Sequence, residues 1–309
     1  MTTIPEAVDD PTRAPTQDAG QYATQPPAQA EKGRRFRALH EAPGLFVIPN
    51  PWDAGSARLL ATLGFPALAT SSGAAAGVLG RRDGQLTREE ALAHVRTIAA
   101  ATDLPVSADL EKGFGDASAD VAETIRRAAA AGAVGGSIED ATGVPERPWY
   151  ELPLAVERIA AAVEAARALP FPFTVTARAE GFLRGDGRLD DIIARLRAFE
   201  SAGADVLFAP GLPDLAAVRA VCQAVSRPIN FMIAIRGRSF SLAELAEAGV
   251  KRVSLATSLY RAAMTGLLNA AREIKERGTS HYLEAVLTTP EINHWLHGLH
   301  GLHPISGAS

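Results

Sequence analysis

Cysteine is almost missing from this chain: Cys222 stands alone among 309 residues. That excludes an intramolecular disulfide framework and any zinc or iron–sulfur site built on several thiolates, and a reducing, cytoplasmic setting is the expectation. No run of 18 apolar residues occurs, so no membrane-spanning helix is expected. Charge of one sign is not in excess either. A formal net charge of −4 leaves no basic footprint for nucleic acid or an anionic membrane surface. The first 33 residues have no apolar core of the kind a secretory signal needs, and their Pro, Ala, Gln and Thr content buries too little to offset ordering entropy. Residues 1–33 are expected to be a disordered tail, and residues 34–309 one domain.

From Gly44 onward, short apolar runs alternate with longer amphipathic segments. The runs GLFVIPN, ALATSS, LPVSADL, VGGSIED, FTVTARAE, DVLFAPG, PINFMIA and RVSLATS read as strands buried on both faces. Eight Ala-, Leu-, Arg- and Glu-rich helices separate or follow them, several stopped by glycine, as at Gly132 and Gly278. The fold class is therefore α/β, a (β/α)8 TIM barrel with additional C-terminal helices beginning near Thr288. An open doubly wound sheet is the runner-up, but the GxGxxG turn expected after its first strand is absent.

Barrel enzymes work at the carboxyl ends of their strands. Strand three ends in Asp109 and Glu111, strand four in Glu139 and Asp140, strand five in Arg178 and Glu180, and strand seven near Asn230. Three acids on neighbouring strand ends, without imidazole or thiolate, suit a hard dication: Mg²⁺, or Mn²⁺. Solvated or salt-bridged acids are the plainer alternative. Arg178 in the mouth can clamp a carboxylate or a developing oxyanion, or form an ion pair with Glu139 or Glu180. Ser72, Gly73 and Ala74 after strand two offer closely spaced N–H groups to a ligand carboxylate, or form a small-residue turn.

Taken in order, PNPWDAGSARLLATLGFPALATSSGAAAG, RRDGQLTREEAL, DLEKGFGD, SIED, TARAE and RVSLATSLYRAA resemble the isocitrate lyase and phosphoenolpyruvate mutase superfamily from about Phe46 to Arg272. The resemblance implies a barrel enzyme that binds Mg²⁺ and an α-keto or α-hydroxy carboxylate. It implies Asp109 as direct metal ligand, Glu111 and Glu139 acting largely through metal-bound water, and Asp83 near the metal's water shell. Ser72, Gly73 and Ala74 match the segment that holds the substrate carboxylate, and Arg178 matches the arginine on its oxyanion side; Asn230, at the end of strand seven, is a further candidate for the substrate. It further implies a homo-oligomer, dimer or tetramer, with the eighth helix exchanged between subunits.

The chain also departs from that pattern. The family lyases' Lys-[Lys/Arg]-Cys-Gly-His loop is replaced by EDATGVPERPWYELP, and the Asp-x-Asp motif by Asp109-Leu110-Glu111, followed by Lys112. Lys112 reads as structural or solvated, Cys222 as a buried residue of the outer helices, and His94 as a surface residue. Trp149 and Tyr150 form either a lid or a packing contact. His281, His294, His297, His300 and His303 read as adventitious or interfacial. The functional expectation is Mg²⁺-dependent cleavage of a C–C bond in a small 2-hydroxy di- or tricarboxylate or a 2-keto acid, through an enolate. P–C bond chemistry, oxaloacetate hydrolysis and an inactive binding barrel are the alternatives.

Overall fold

The computed structural model describes residues 25–185 and 187–297. Helix α1 (Gln25–Glu41) leads into β1 (Phe46–Ile48), α2 (Ala54–Thr62), β2 (Leu68–Ala69), α3 (Ser72–Val78), α4 (Arg88–Ala100), β3 (Val106–Asp109), α5 (Ser118–Ala130) and β4 (Gly135–Glu139). A hairpin follows, β5 (Ala141–Val144) and β6 (Arg147–Trp149), then α6 (Leu152–Arg167), β7 (Thr174–Arg178), α7 (Gly181–Arg184) and α8 (Leu189–Ser201). The chain continues through β8 (Val206–Phe208), α9 (Leu215–Ala224), β9 (Ile229–Met232), α10 (Leu242–Glu247), β10 (Arg252–Ser254), α11 (Ser258–Arg277) and α12 (Thr289–His297).

Eight parallel strands run β1-β10-β9-β8-β7-β4-β3-β2. The ring closes where Ala69 N–H donates to Pro49 O at 3.0 Å, and Asn50 Nδ2 donates to Thr70 O at 2.9 Å across the same seam. This is the barrel expected from the eight apolar runs. Because side chains alternate along a strand, Val175, Ala177, Leu207, Ile229, Phe231 and Val253 pack outward in one core with the helices. Their neighbours Thr176, Arg178, Asn230, Arg252 and Ser254 turn inward, as do Ser107, Asp109 and Ser137 on the opposite side.

Helix starts carry the expected chemistry. Thr87 and Glu90 form a reciprocal capping box at α4, and Ser241 and Glu244 another at α10. Gly132 and Gly278 turn the chain with φ of +100° and +66°, where a side chain would strain the backbone.

Three elements differ from expectation. Helix α1 reaches back to Gln25, into the segment expected to be a tail. Its Phe36 is fully buried with Ile48, Ala67 and Val134, and Gln29 Nε2 donates to Ala129 O and Ala133 O at 2.7 and 3.0 Å. Amide-to-carbonyl bonds of this kind leave no mark on composition. Truncating Phe36 to Ala removes a core side chain, a loss of about 3–5 kcal/mol. TSSGAAAG forms α3 rather than an open turn, capped by Ser71. The EDATGVPERPWYELP stretch folds as the antiparallel β5–β6 hairpin. Residues 1–24, His300 and His303 lie outside the described residues. Among the described residues no helix is long and apolar enough to cross a membrane.

Candidate active site

At the carboxyl ends of the strands a cavity of about 260 Å³ opens, lined at its mouth by Ser72, Gly73, Asp83, Asp109 and Arg178 and extending down to Asn230 and Arg252. Asp109 is held from three sides. Its N–H donates to Thr70 Oγ1 at 2.9 Å, its Oδ2 accepts from Ser72 N–H at 3.0 Å, and its Oδ1 accepts from Arg178 Nη1 at 3.1 Å. Ser72 Oγ donates to Asp83 Oδ1 at 3.0 Å, drawing the RRDG loop over the cavity.

Arg178 is the hub. Its Nη2 lies 2.7 Å from Glu180 Oε1 and 3.3 Å from Glu139 Oε2, and Arg184 approaches Glu180 at 3.4 Å from the exposed side. Burial opposes the charge on Arg178, but Glu180, Glu139 and Asp109 around it raise its pKa above the ordinary value. Glu139 is pushed well above the carboxylate range by burial and by Glu180 beside it. The acids therefore do not form the open oxygen cluster expected. Arg178 stands between Asp109 and Glu139, and among the described residues no three His, Cys, Asp or Glu side chains form a ready-made metal cage. The physical reason is charge: buried carboxylates next to one another need a cation between them.

Glu111 sits apart from the cavity wall, with Lys112, Arg88 and Phe114 around a neighbouring pocket. Its backbone is left-handed, with φ of +48°, a conformation costing a non-glycine residue about 1–2 kcal/mol. Glu139 N–H donates to Glu111 O at 3.0 Å, and Arg158 donates to the carbonyls of Lys112, Gly115 and Asp116, so the turn has no freedom to relax. Burial, then Asp109 and Asp83, push the Glu111 carboxyl up to about 7, and its Oε1 is buried without a hydrogen-bond partner. An orphaned carboxylate oxygen repelled by two other carboxylates, all with hard oxygen donors, fits a divalent cation surrounded largely by water.

The remaining assignments separate cleanly. Ser72 and Gly73 line the cavity, and a Cβ on Gly73 would meet Thr257 Cγ2 at 2.9 Å. Ala74 is instead fully buried with its N–H directed to Ser71 Oγ at 3.4 Å, and Ser72 N–H is already given to Asp109. Asn230 lies at the cavity floor, bonded to Ser254 and Arg252. Lys112 is structural, as expected, reaching Asp116 Oδ1 at 2.8 Å and Thr142 O at 2.9 Å. Tyr150 is a packing residue: buried, its OH is 2.5 Å from Asp116 Oδ1 and its ring lies 4.2 Å from the Arg158 guanidinium carbon. Trp149 packs against Gly185 beside Arg184. Burial raises the Cys222 thiol to about 11, so it is inert. His94 is half-buried, tied to Trp52 O at 3.0 Å, not a surface residue. Thr70, Arg184 and Arg252 join the site without having been among the residues expected there. A Thr at the second strand's end and an Arg at the start of the eighth were the only signals.

Fold and site together define an α/β-barrel enzyme whose polar residues meet at the strand ends around Arg178. The chain belongs to the phosphoenolpyruvate phosphomutase family, whose model matches residues 36–275, and it is an enzyme of the isocitrate lyase and phosphoenolpyruvate mutase superfamily. It is 31% identical to 2-methylisocitrate lyase of Escherichia coli (strain K12) over 86% of this chain and 90% of that one. A crystal structure from Burkholderia cenocepacia J2315, described as a lyase or mutase, superposes with a TM-score of 0.87 at 54% identity, covering 88% of this chain and 98% of its own. The structure of 2,3-dimethylmalate lyase gives a TM-score of 0.77 at 28% identity, over 87% and 95% of the two chains.

Proposed function

We propose that the chain is a C–C lyase acting on a small 2-hydroxy di- or tricarboxylate, or a related 2-keto acid, by way of an enolate. The observation that carries this reading is Arg178, a buried guanidinium on the cavity wall, fixed by Glu180 from behind and by Asp109 at its side. Donors fixed before reaction stabilise developing negative charge without reorganising. Arg178 would bind the oxygen on which the enolate charge collects, while the Ser72–Gly73 backbone lines the place for the carboxylate beside it.

Asp109, Asp83 and Glu111 are the residues that would hold Mg²⁺, with Glu139 on the far side of Arg178. When bound, the cation supplies Lewis-acid polarisation of the substrate oxygens. The Trp149 hairpin packed on the Gly185 turn would keep water from the enolate. The family description keeps P–C bond chemistry as a second reading. Incubation with a panel of C4 to C7 hydroxy and keto acids and phosphonopyruvate, followed by NMR, decides between them by the products formed.

The reading includes assembly. Helix α11 buries none of its residues and exposes Met264, Leu267, Leu268 and Ile274 at helical spacing, Leu267 at 63%. Such a stripe suits a second copy of the chain, as the family resemblance implies for the eighth helix.

A further inference from the structure

The barrel interior holds a cation that the acidic cluster does not balance. Arg252 is 4% exposed. Its guanidinium has three neutral partners: Nε donates to Asn230 Oδ1 at 2.8 Å, Nη2 to Thr176 Oγ1 at 3.0 Å, and Nη1 faces His40 Nε2 at 3.3 Å. His40 is neutral. Its Nδ1 is 2.8 Å from Phe36 O, so Nδ1 carries the proton and Nε2 is the acceptor. Burial and Arg252 together pull its pKa down to about 3.

Asp109, Glu139 and Glu180 are all engaged by Arg178, and no carboxylate among the described residues forms an ion pair with Arg252. Burial is what lowers its pKa, to about 9, which leaves it cationic at neutral pH. A guanidinium out of water without a counter-charge costs several kcal/mol. Of its five N–H groups, three are used, and the side chain lines the cavity that opens at Arg178. The strands opposite contribute small residues, Ala69, Ser107 and Ser137, while Ile48, Phe208 and Met232 supply apolar lining. Barrel interiors are ordinarily filled with branched apolar side chains. Here small and polar side chains leave part of the interior open.

Thr176, which Arg252 touches, is two residues below Arg178 on the same face of β7. Two steps of strand rise set these strand levels about 6.6 Å apart, and the two guanidinium groups line one cavity at different depths. We propose that Arg252, with Asn230 and Ser254 beside it, binds a second carboxylate of the substrate at the cavity floor, so that a dicarboxylate stands along the barrel axis with its reacting end at Arg178. This rests on the lyase reading and narrows it to a substrate with two anionic ends. A purely structural Arg252, cross-linking β7, β9, β10 and α1, would instead be indifferent to the ligand's far end.

Malate and 2-hydroxybutyrate share one head and differ in a terminal carboxylate against a methyl group. Calorimetric titration of the full chain with each, in Mg²⁺, reads the floor directly. Wild type is expected to bind malate at least tenfold tighter, and Arg252→Met to lose that preference while 2-hydroxybutyrate binds within twofold of wild type. Equal binding of the two acids by wild type, or equal weakening of both in Arg252→Met, overturns the proposal. If circular dichroism shows Arg252→Met unfolded, Arg252→Lys replaces it, with a reduced malate preference expected and an unchanged one contradicting. Oxalate, too short to reach the floor, isolates the mouth. Failed oxalate binding contradicts the lyase reading, whereas oxalate binding without a malate preference contradicts the Arg252 assignment alone.

Discussion

Arg178 reaches over the intervening strand β4 to Asp109, Nη1 to Oδ1 at 3.1 Å, and so joins the ends of β3 and β7. The contact sets both the position of the anion-binding guanidinium and the orientation of the carboxylate offered to a cation. Arg178→Lys keeps the charge but loses the planar fork that meets Asp109 and Glu180 together. Its turnover on whichever substrate the NMR panel identifies is expected to fall about 10²–10³-fold, with the circular dichroism spectrum unchanged. Arg178→Ala strands the buried Glu139 and Glu180 and the part-buried Asp109, and is expected to cost about 3–5 kcal/mol in urea unfolding.

Arg158 does for the Glu111 turn what Arg178 does for the mouth. It is buried, and the Lys112, Gly115 and Asp116 carbonyls accept from it. Arg158→Met leaves those carbonyls without their donor, at about 1–3 kcal/mol for each group left unsatisfied. A lower urea midpoint is expected, together with faster amide exchange at residues 111–116. Unchanged exchange there would show that the strained turn is held by other means.

His40 gives the stability a pH dependence of defined sign. Its pKa is about 3 in the folded chain against 6.5 when exposed, so between those values the unfolded state binds the extra proton. Its contribution is fully present above pH 6.5 and is lost as pH falls toward 3, at about 1.4 kcal/mol per unit. Glu111 and Glu139, whose values are raised, tilt the curve the other way. The test is therefore comparative: the drop in unfolding free energy from pH 7 to pH 5 is expected to be smaller in His40→Gln than in wild type. An identical drop in both would contradict the assignment.

The exposed stripe on α11 predicts its own consequence. Leu267→Glu with Leu268→Glu places two charges on the surface proposed to meet another copy, at positions 63% and 48% exposed in the single chain. Sedimentation velocity is expected to show a dimer or tetramer for wild type and a smaller species for the variant. A monomeric wild type would remove the assembly from the account.

The eight strands were legible because strands buried on both faces are continuous apolar runs, as in FTVTARAE, and the helices because their caps, such as Thr87 with Glu90, are local. Asp109 and Arg178 were legible as polar residues closing apolar strands. Less could be read where tertiary hydrogen bonds decide. Helix α1 is anchored by Gln29 on carbonyls a hundred residues away. Ala74 is drawn inward by the Ser71 cap, and Glu139 is separated from Asp109 by an arginine that no spacing rule places between them. Arg252 lies at the start of its strand, where a search for residues at the carboxyl ends does not look.

An enolate-like anion and a divalent cation are proposed to share the mouth of this barrel. Calorimetric titration of oxalate, a mimic of a 2-keto acid enolate, tests this most directly in the presence and absence of Mg²⁺. Oxalate is expected to bind only with Mg²⁺ present, and at least tenfold more weakly in Asp109→Ala and in Arg178→Lys. Oxalate binding that ignores the cation, or no binding with the cation present, would contradict it.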